Sequence, residues 1–209
     1  MPHIVLLGDS IFDNRVYVNG RPDVRQHLAA LLPAGWQATL LASDGATTAG
    51  ISRQLQALPQ DADCLVLSVG GNDALLNEYQ LHGRVGTVAE GLLVMDTLLL
   101  GFERDYRGVI ADCLATGLPL VVCAVYNANI AEPSQAAVFR RAIALFDDVI
   151  LRVAAEHGLA SIDLRRVCDQ PAHYANDIEP SDAGGLAIAS AVLQAVQRLL
   201  GRAPQQAVG

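Results

Sequence analysis

His3-Ile4-Val5-Leu6-Leu7, followed by Gly8-Asp9-Ser10, is the stretch on which the fold turns. An apolar run of this length without polar alternation suits a strand covered on both faces, and the Gly-Asp-Ser that ends it is a tight turn carrying a hydroxyl. Four more runs of the same kind follow: Trp36 to Leu41, Cys64 to Val69, Leu120 to Val125 and a short Ala160 to Ile162. Between them lie longer stretches of helical periodicity, at Pro22 to Leu32, Thr48 to Ala57, Val85 to Ala115, Ser134 to His157 and Ser181 to Leu200. Strands alternating with helices predict an α/β chain, a five-stranded parallel sheet covered by helices on both faces. Ala89 to Leu100 is apolar at nearly every turn, so that helix is expected to be flanked by other elements.

With 209 residues, no internal repeat and no linker, the chain reads as one domain over residues 1–200, with a frayed tail over 201–209. Hydrophobic residues make up 52% and charged residues 17%, a globular composition. A net charge of −8 argues against nucleic acid, which needs clustered basic groups to neutralise its phosphates. Met1-Pro2-His3 leads into too short an apolar stretch for a secretory signal, so cytoplasmic residence is expected. Leu92 to Leu100 is interrupted by Asp96 and Thr97, and no apolar run approaches the roughly 20 residues of a membrane span, so none is expected. Cys64, Cys113, Cys123 and Cys168 are widely spaced with no CxxC pair, which predicts buried thiols and neither a zinc site nor a disulfide framework.

In open parallel sheets ligands bind beyond the carboxyl ends of the strands. At those ends stand Gly8-Asp9-Ser10, Ser43-Asp44-Gly45, Gly70-Gly71-Asn72-Asp73 and Tyr126-Asn127. Alone, Gly8-Asp9-Ser10 is an ordinary strand-to-helix turn; the other loops give it meaning. Gly45 lets a backbone amide approach a ligand with no Cβ between, and Gly71 frees the chain to aim Asn72 inward. The amides of Ser10 and Gly45, with the Asn72 carboxamide, would then form a three-donor oxyanion hole around a tetrahedral intermediate.

These blocks resemble the SGNH, or GDSL, hydrolase superfamily, in order and spacing, over nearly the whole chain. The resemblance implies a flavodoxin-like three-layer α/β/α sandwich with a five-stranded parallel sheet. It also implies Ser10 as nucleophile, Ser10, Gly45 and Asn72 as oxyanion donors, and hydrolysis of small esters without metal or organic cofactor. Asp9 would tie down its loop, and Asn127 at the fourth rim would touch substrate.

The last block departs from that pattern. The family reads Asp, two residues, His, then Pro before the final helix; here Asn176-Asp177-Ile178-Glu179-Pro180 puts Asn176 in the place of the Asp and Glu179 in the place of the His. An Asp behind a Glu would repel its charge, whereas an Asn can donate a hydrogen bond to it. Glu179 is therefore expected to act as general base toward Ser10, and burial would have to raise its pKa above the ordinary value of about 4.3 for good function near neutrality. His173, six residues earlier in the same loop, is the competing base, with Glu179 or Asp177 orienting its ring. Asn176 and Asp177 are also placed on the substrate side. Asp163, after the fifth strand, is expected to cap and to pair with Arg165 and Arg166.

Two classes of function compete on these residues. A serine hydrolase of small or short-chain esters uses Ser10 and the rim donors. A binding protein that has lost the His base would keep the same rim for an acyl, sugar or phosphate ligand. A nucleotide carrier ranks third, because no phosphate-cradling loop follows the first strand.

Overall fold

A computed structural model describes residues 1–202. The strands are β1 (His3–Gly8), β2 (Gln37–Leu40), β3 (Cys64–Ser68), β4 (Leu120–Ala124) and β5 (Ala160–Asp163). The helices are α1 (Val24–Leu31), α2 (Ile51–Leu55), α3 (Gly71–Leu75), α4 (Val88–Ala115), α5 (Pro133–Glu156), α6 (Leu164–Val167) and α7 (Asp182–Arg202). All five strands pair in parallel, in the order β2-β1-β3-β4-β5. The chain runs outward from β1 to β2, then returns to the other side of β1 and proceeds to β5. The strand order thus reverses at β1 and β3, and a crevice opens outside their carboxyl ends. Short helices α3 and α6 are additions to the expected set.

Alternation along the strands divides the core. Ile4 and Leu6 of β1 face the layer built by α1, α6 and α7, where Val24, Leu28, Leu164, Ile188 and Val192 are buried. Val5 and Leu7 face the layer of α2, α4 and α5, where Ile51, Phe102, Tyr106, Ile110 and Ile150 are buried. The result is a three-layer α/β/α sandwich. Burial of an Ile or Leu side chain contributes roughly 1.5–3 kcal/mol, so strands buried at every position, as β1, β3 and β4 are, anchor both layers.

One expectation needs correction. Only the C-terminal half of α4 is enclosed: Phe102, Tyr106, Val109, Ile110 and Cys113 are buried, whereas Val88, Leu92, Leu93 and Leu100 are exposed. Helix α7 has a mean hydropathy of 1.3 across Asp182–Gly201 and is long and apolar enough, by length and composition, to cross a bilayer. A search for unbroken apolar runs passes over it because Gln194 and Arg198 interrupt it. Its buried face, Ile188, Ala189, Val192 and Val196, packs in the core layer with α1 and β5. Of the expected frayed tail, Gly201 and Arg202 continue α7; the remainder, 203–209, lies outside the described residues. All four cysteines are free and buried, and burial pushes the thiols of Cys64, Cys113 and Cys168 up to about 12.

Candidate active site

The turn after β1 is held from both neighbouring strands. Gly8 has φ +129°, and a Cβ there would lie 1.8 Å from the carbonyl oxygen of Ser68 on β3, so no side chain fits. Gln54 of α2 clamps the same residue: Gly8 N–H donates to its Oε1 at 2.8 Å and its Nε2 donates to Gly8 O at 2.7 Å. The Asp9 side chain accepts the Ile11 amide at 3.1 Å. Burial, with a smaller push from Glu179, raises Asp9 to about 8. Asp9 thus ties down its loop, and Ser10, itself buried, stands at the switch point.

Neighbouring loops are stitched to this turn and to one another. Ser43 N–H donates to Gly8 O at 3.0 Å, and Asp44 N–H to the Asp13 carboxylate at 3.0 Å. The Asn72 Nδ2 donates to Ala46 O at 2.9 Å, and Asp73 accepts the Thr48 amide and, at 2.6 Å, its hydroxyl. Gly45, at φ +75°, has open space around its Cα, and neither its amide nor that of Ser10 donates to a protein acceptor among the described residues. One N–H of the Asn72 carboxamide is likewise left over after the bond to Ala46.

The loop before α7 brings the carboxylate. Ser10 Oγ donates to Glu179 Oε1 at 3.2 Å, and Glu179 is buried at 6% exposure. Its second oxygen, Oε2, is buried without a hydrogen-bond partner. Desolvation raises the Glu179 pKa to about 7; the Ser10 hydrogen bond pulls the other way, and the Asp44 carboxylate adds to the rise. Three successive carbonyls of this loop are tethered. Tyr126 OH donates to Ile178 O, Ala175 N–H to Glu179 O at 2.8 Å, and Asn14 Nδ2 to Pro180 O at 3.1 Å. Asn14 also accepts the Val24 amide at 3.0 Å, which fixes it to the start of α1. Tyr126 packs edge-on against Tyr174, whose hydroxyl has the carbonyl oxygens of Asn127 and Cys168 both within 2.7 Å as acceptors for its one proton.

Several expected partners stand elsewhere. Asn176 does not donate to the Glu179 carboxylate; its Oδ1 accepts the amides of Ile178 and Glu179, each at 2.9 Å, so it shapes the loop. His173 is turned away from Ser10: its Nδ1 accepts the Gln170 amide at 3.3 Å and lies 3.8 Å from Asp169, and the ring lines no part of the Ser10 cleft. Asp177 is exposed and lends its carbonyl to Asn129, and Asn127 is not among the residues lining the cleft. Asp163 accepts the Arg165 amide and its guanidinium, as expected of a cap. Sequence reading set Tyr126 at the fourth rim without its tether and missed Asn14 and Gln54; all three act through contacts 46 or more residues away. Asp147 was missed too: buried and raised to about 7 by desolvation, it accepts the Val125 amide at 2.7 Å and so steadies the end of β4.

Beside Ser10 opens a cleft with about 100 Å³ of room for water-sized spheres, walled by α3, α4, α5 and the 3-10 turn Glu78–His82.

Comparison with known proteins places this site in context. The model of the GDSL-like lipase/acylhydrolase family matches residues 6–185. No curated protein sequence matches the chain. Among solved structures, the extracellular lipase of Streptomyces rimosus superposes with a TM-score of 0.72 at 16% identity, over 93% of this chain and 100% of that one. Phospholipase A1 of Streptomyces albidoflavus NA297 gives 0.70 at 17% identity, over 95% and 99%. The aryl esterase of M. smegmatis gives 0.66 at 14% identity, over 95% and 100%. At such identities the superpositions speak to the fold, which is theirs. With the family model matching from β1 to the start of α7, the chain belongs to the GDSL-like lipase/acylhydrolase family and is an ester-hydrolysing enzyme.

Proposed function

We propose that the protein hydrolyses small carboxylic esters through an acyl-Ser10 intermediate, with Glu179 in the role of general base. The observation that carries this reading is the 3.2 Å hydrogen bond from Ser10 Oγ to the buried Glu179 carboxylate, whose pKa is raised to about 7. A hydroxyl is a weak nucleophile until a base takes its proton, and a base is most effective when its pKa lies near the working pH.

In the forward step Ser10 Oγ bonds to the ester carbonyl carbon as its proton passes to Glu179 Oε1. The developing oxyanion is met by the unpartnered amides of Ser10 and Gly45 and by the spare N–H of Asn72. Collapse breaks the C–O bond to the alcohol, and the proton held on Glu179 goes to the departing oxygen. Water then attacks the acyl-enzyme, its proton passing to Glu179, and the carboxylic acid leaves with Ser10 restored. Charge is balanced throughout by one proton shuttling between Ser10, Glu179 and the oxygen entering or leaving.

The test is covalent labelling by a fluorophosphonate together with turnover of a p-nitrophenyl ester. Label is expected on Ser10, and Ser10→Ala should abolish both. Folded protein that neither takes label nor turns over ester would overturn the proposal.

A further inference from the structure

We infer that the site selects esters of cationic amino alcohols, with Asp13 and Asp44 as the side chains that determine this specificity; the inference deepens the hydrolase reading above and rests on it.

Both carboxylates are built into the loops that hold Ser10. Asp13 N–H donates to Asp9 O at 3.1 Å, and the next residue, Asn14, holds Pro180 O and the start of α1. Asp44 directly precedes Gly45, and its amide donates to Asp13 Oδ2 at 3.0 Å. Tyr17 OH donates to Asp44 Oδ2 at 2.9 Å. These three residues stand outside the lining of the cleft, which belongs to the α3, α4 and α5 side of the sheet. Asp13 and Asp44 each keep one carboxylate oxygen without a protein donor among the described residues.

Charge around Ser10 is of one sign. Asp9, Asp13, Asp44 and Glu179 gather there, and among the described residues no Arg or His forms an ion pair with any of them. The chain has no lysine that could answer them. Glu179 points to a missing partner independently, since it is only 6% exposed and its Oε2 is buried with nothing to accept from. The groups are near one another: Glu179, raised chiefly by burial, is raised further by the Asp44 charge. Tyr17 is pushed up to about 12 by desolvation, by its bond to Asp44 and then by the charge of Glu179. Carboxylates without a counter-cation favour a substrate that brings the positive charge and repel phosphate or sulfate esters.

Proton transfer decides which half of the ester carries that charge. The departing oxygen takes its proton from Glu179, so the alcohol half lies against this carboxylate. In the cleft Leu75, Leu98, Phe139, Ile143 and Phe146 dominate the lining, and a cation there would shed water for little return. A positive group a few bonds beyond the alcohol oxygen therefore stands on the Asp13 and Asp44 side.

The experiment compares butyrylcholine with its uncharged isostere, 3,3-dimethylbutyl butyrate, on the full chain at pH 8 and low salt. kcat/KM should favour the choline ester by about tenfold, as two partly exposed charge contacts allow. The preference should shrink toward unity in 1 M salt, where screening sets in beyond about 3 Å. Asp13→Asn and Asp44→Asn should each lower the ratio about threefold and together bring it near one, with turnover of the neutral ester within about twofold of wild type. Independently of turnover, choline chloride should raise the melting temperature where 3,3-dimethylbutan-1-ol in matching sodium chloride does not, and the double variant should lose the effect. An enzyme labelled at Ser10 that shows no preference for the choline ester, or a preference that neither salt nor the double variant lowers, would overturn the selection and leave the hydrolase standing. Absence of label and turnover, with choline still stabilising, would overturn the hydrolase and keep the cation-binding corner; no stabilisation in that case would remove the corner as well.

Discussion

Ser10 Oγ donates to one oxygen of Glu179, while the other oxygen of that carboxylate is buried with no hydrogen-bond partner. A carboxylate so placed binds a proton readily, because ionising it strands a charge away from water. That single relationship joins the reactivity of the site to its cost in stability.

Replacing Glu179 by Gln keeps the shape and removes the proposed base. Turnover of an ester substrate should fall by about 10²–10⁴, the usual worth of general base catalysis. His173→Gln, by contrast, should leave kcat/KM within about twofold of wild type, since its ring is occupied by Gln170 and Asp169. A large loss in the His173 variant with little in the Glu179 variant would reverse the assignment.

The rate should follow ionisation of Glu179. The proposed function as base requires the charged form, so kcat/KM should be low at pH 5, rise through a midpoint of about 7 and level off above 8. A midpoint near 4.5 would show that burial does not govern the group.

Stability should move the other way. A carboxyl whose pKa is raised on folding keeps its proton longer in the native than in the unfolded chain, so its contribution is intact below about 4.5 and lost as pH climbs through about 7. Glu179→Gln should therefore be neutral to denaturation at pH 4 and stabilising by roughly 1–3 kcal/mol at pH 8. Denaturant melts at the two pH values measure this directly.

Asn72→Ala removes one proposed oxyanion donor and also the bond to Ala46. A fall of roughly 10²–10³ in kcat is expected, with KM little changed, since the donor acts mainly on the transition state. Steady-state kinetics on a p-nitrophenyl ester would separate the two parameters.

Tyr126→Phe cuts the tether to Ile178 O without disturbing the ring. The loop would loosen, water would reach Glu179, and its pKa would drift toward the ordinary carboxylate value. The pH midpoint of kcat/KM should thus move to lower pH while kcat declines, for a stability loss of about 1 kcal/mol. A lower rate with an unmoved midpoint would point to a merely structural role.

How much of this was written in the sequence depends on range. Short apolar runs bounded by small or polar residues announce themselves locally, so β1 to β5 fall within a residue or two of the expected bounds. Ser10, Gly45, Asn72 and Glu179 could be nominated because each sits at a strand end or beside Pro180, in a fixed spacing. The tethers of Tyr126, Asn14 and Gln54 could not, since each of these is an ordinary polar residue until folding brings it to a carbonyl or amide far along the chain. The side chain of Asn176 was assigned to the Glu179 carboxylate, but the nearer loop amides of Ile178 and Glu179 claim it. The apolar first half of α4 was expected to be flanked by other elements, yet Val88, Leu92, Leu93 and Leu100 are exposed.

Ser10 and Glu179 stand 169 positions apart along the chain, and the loop that carries the carboxylate is lashed down through three carbonyls in a row. Their contact exists only where that loop is docked, so a chain that has lost the docking would keep its serine hydroxyl and lose its proposed base.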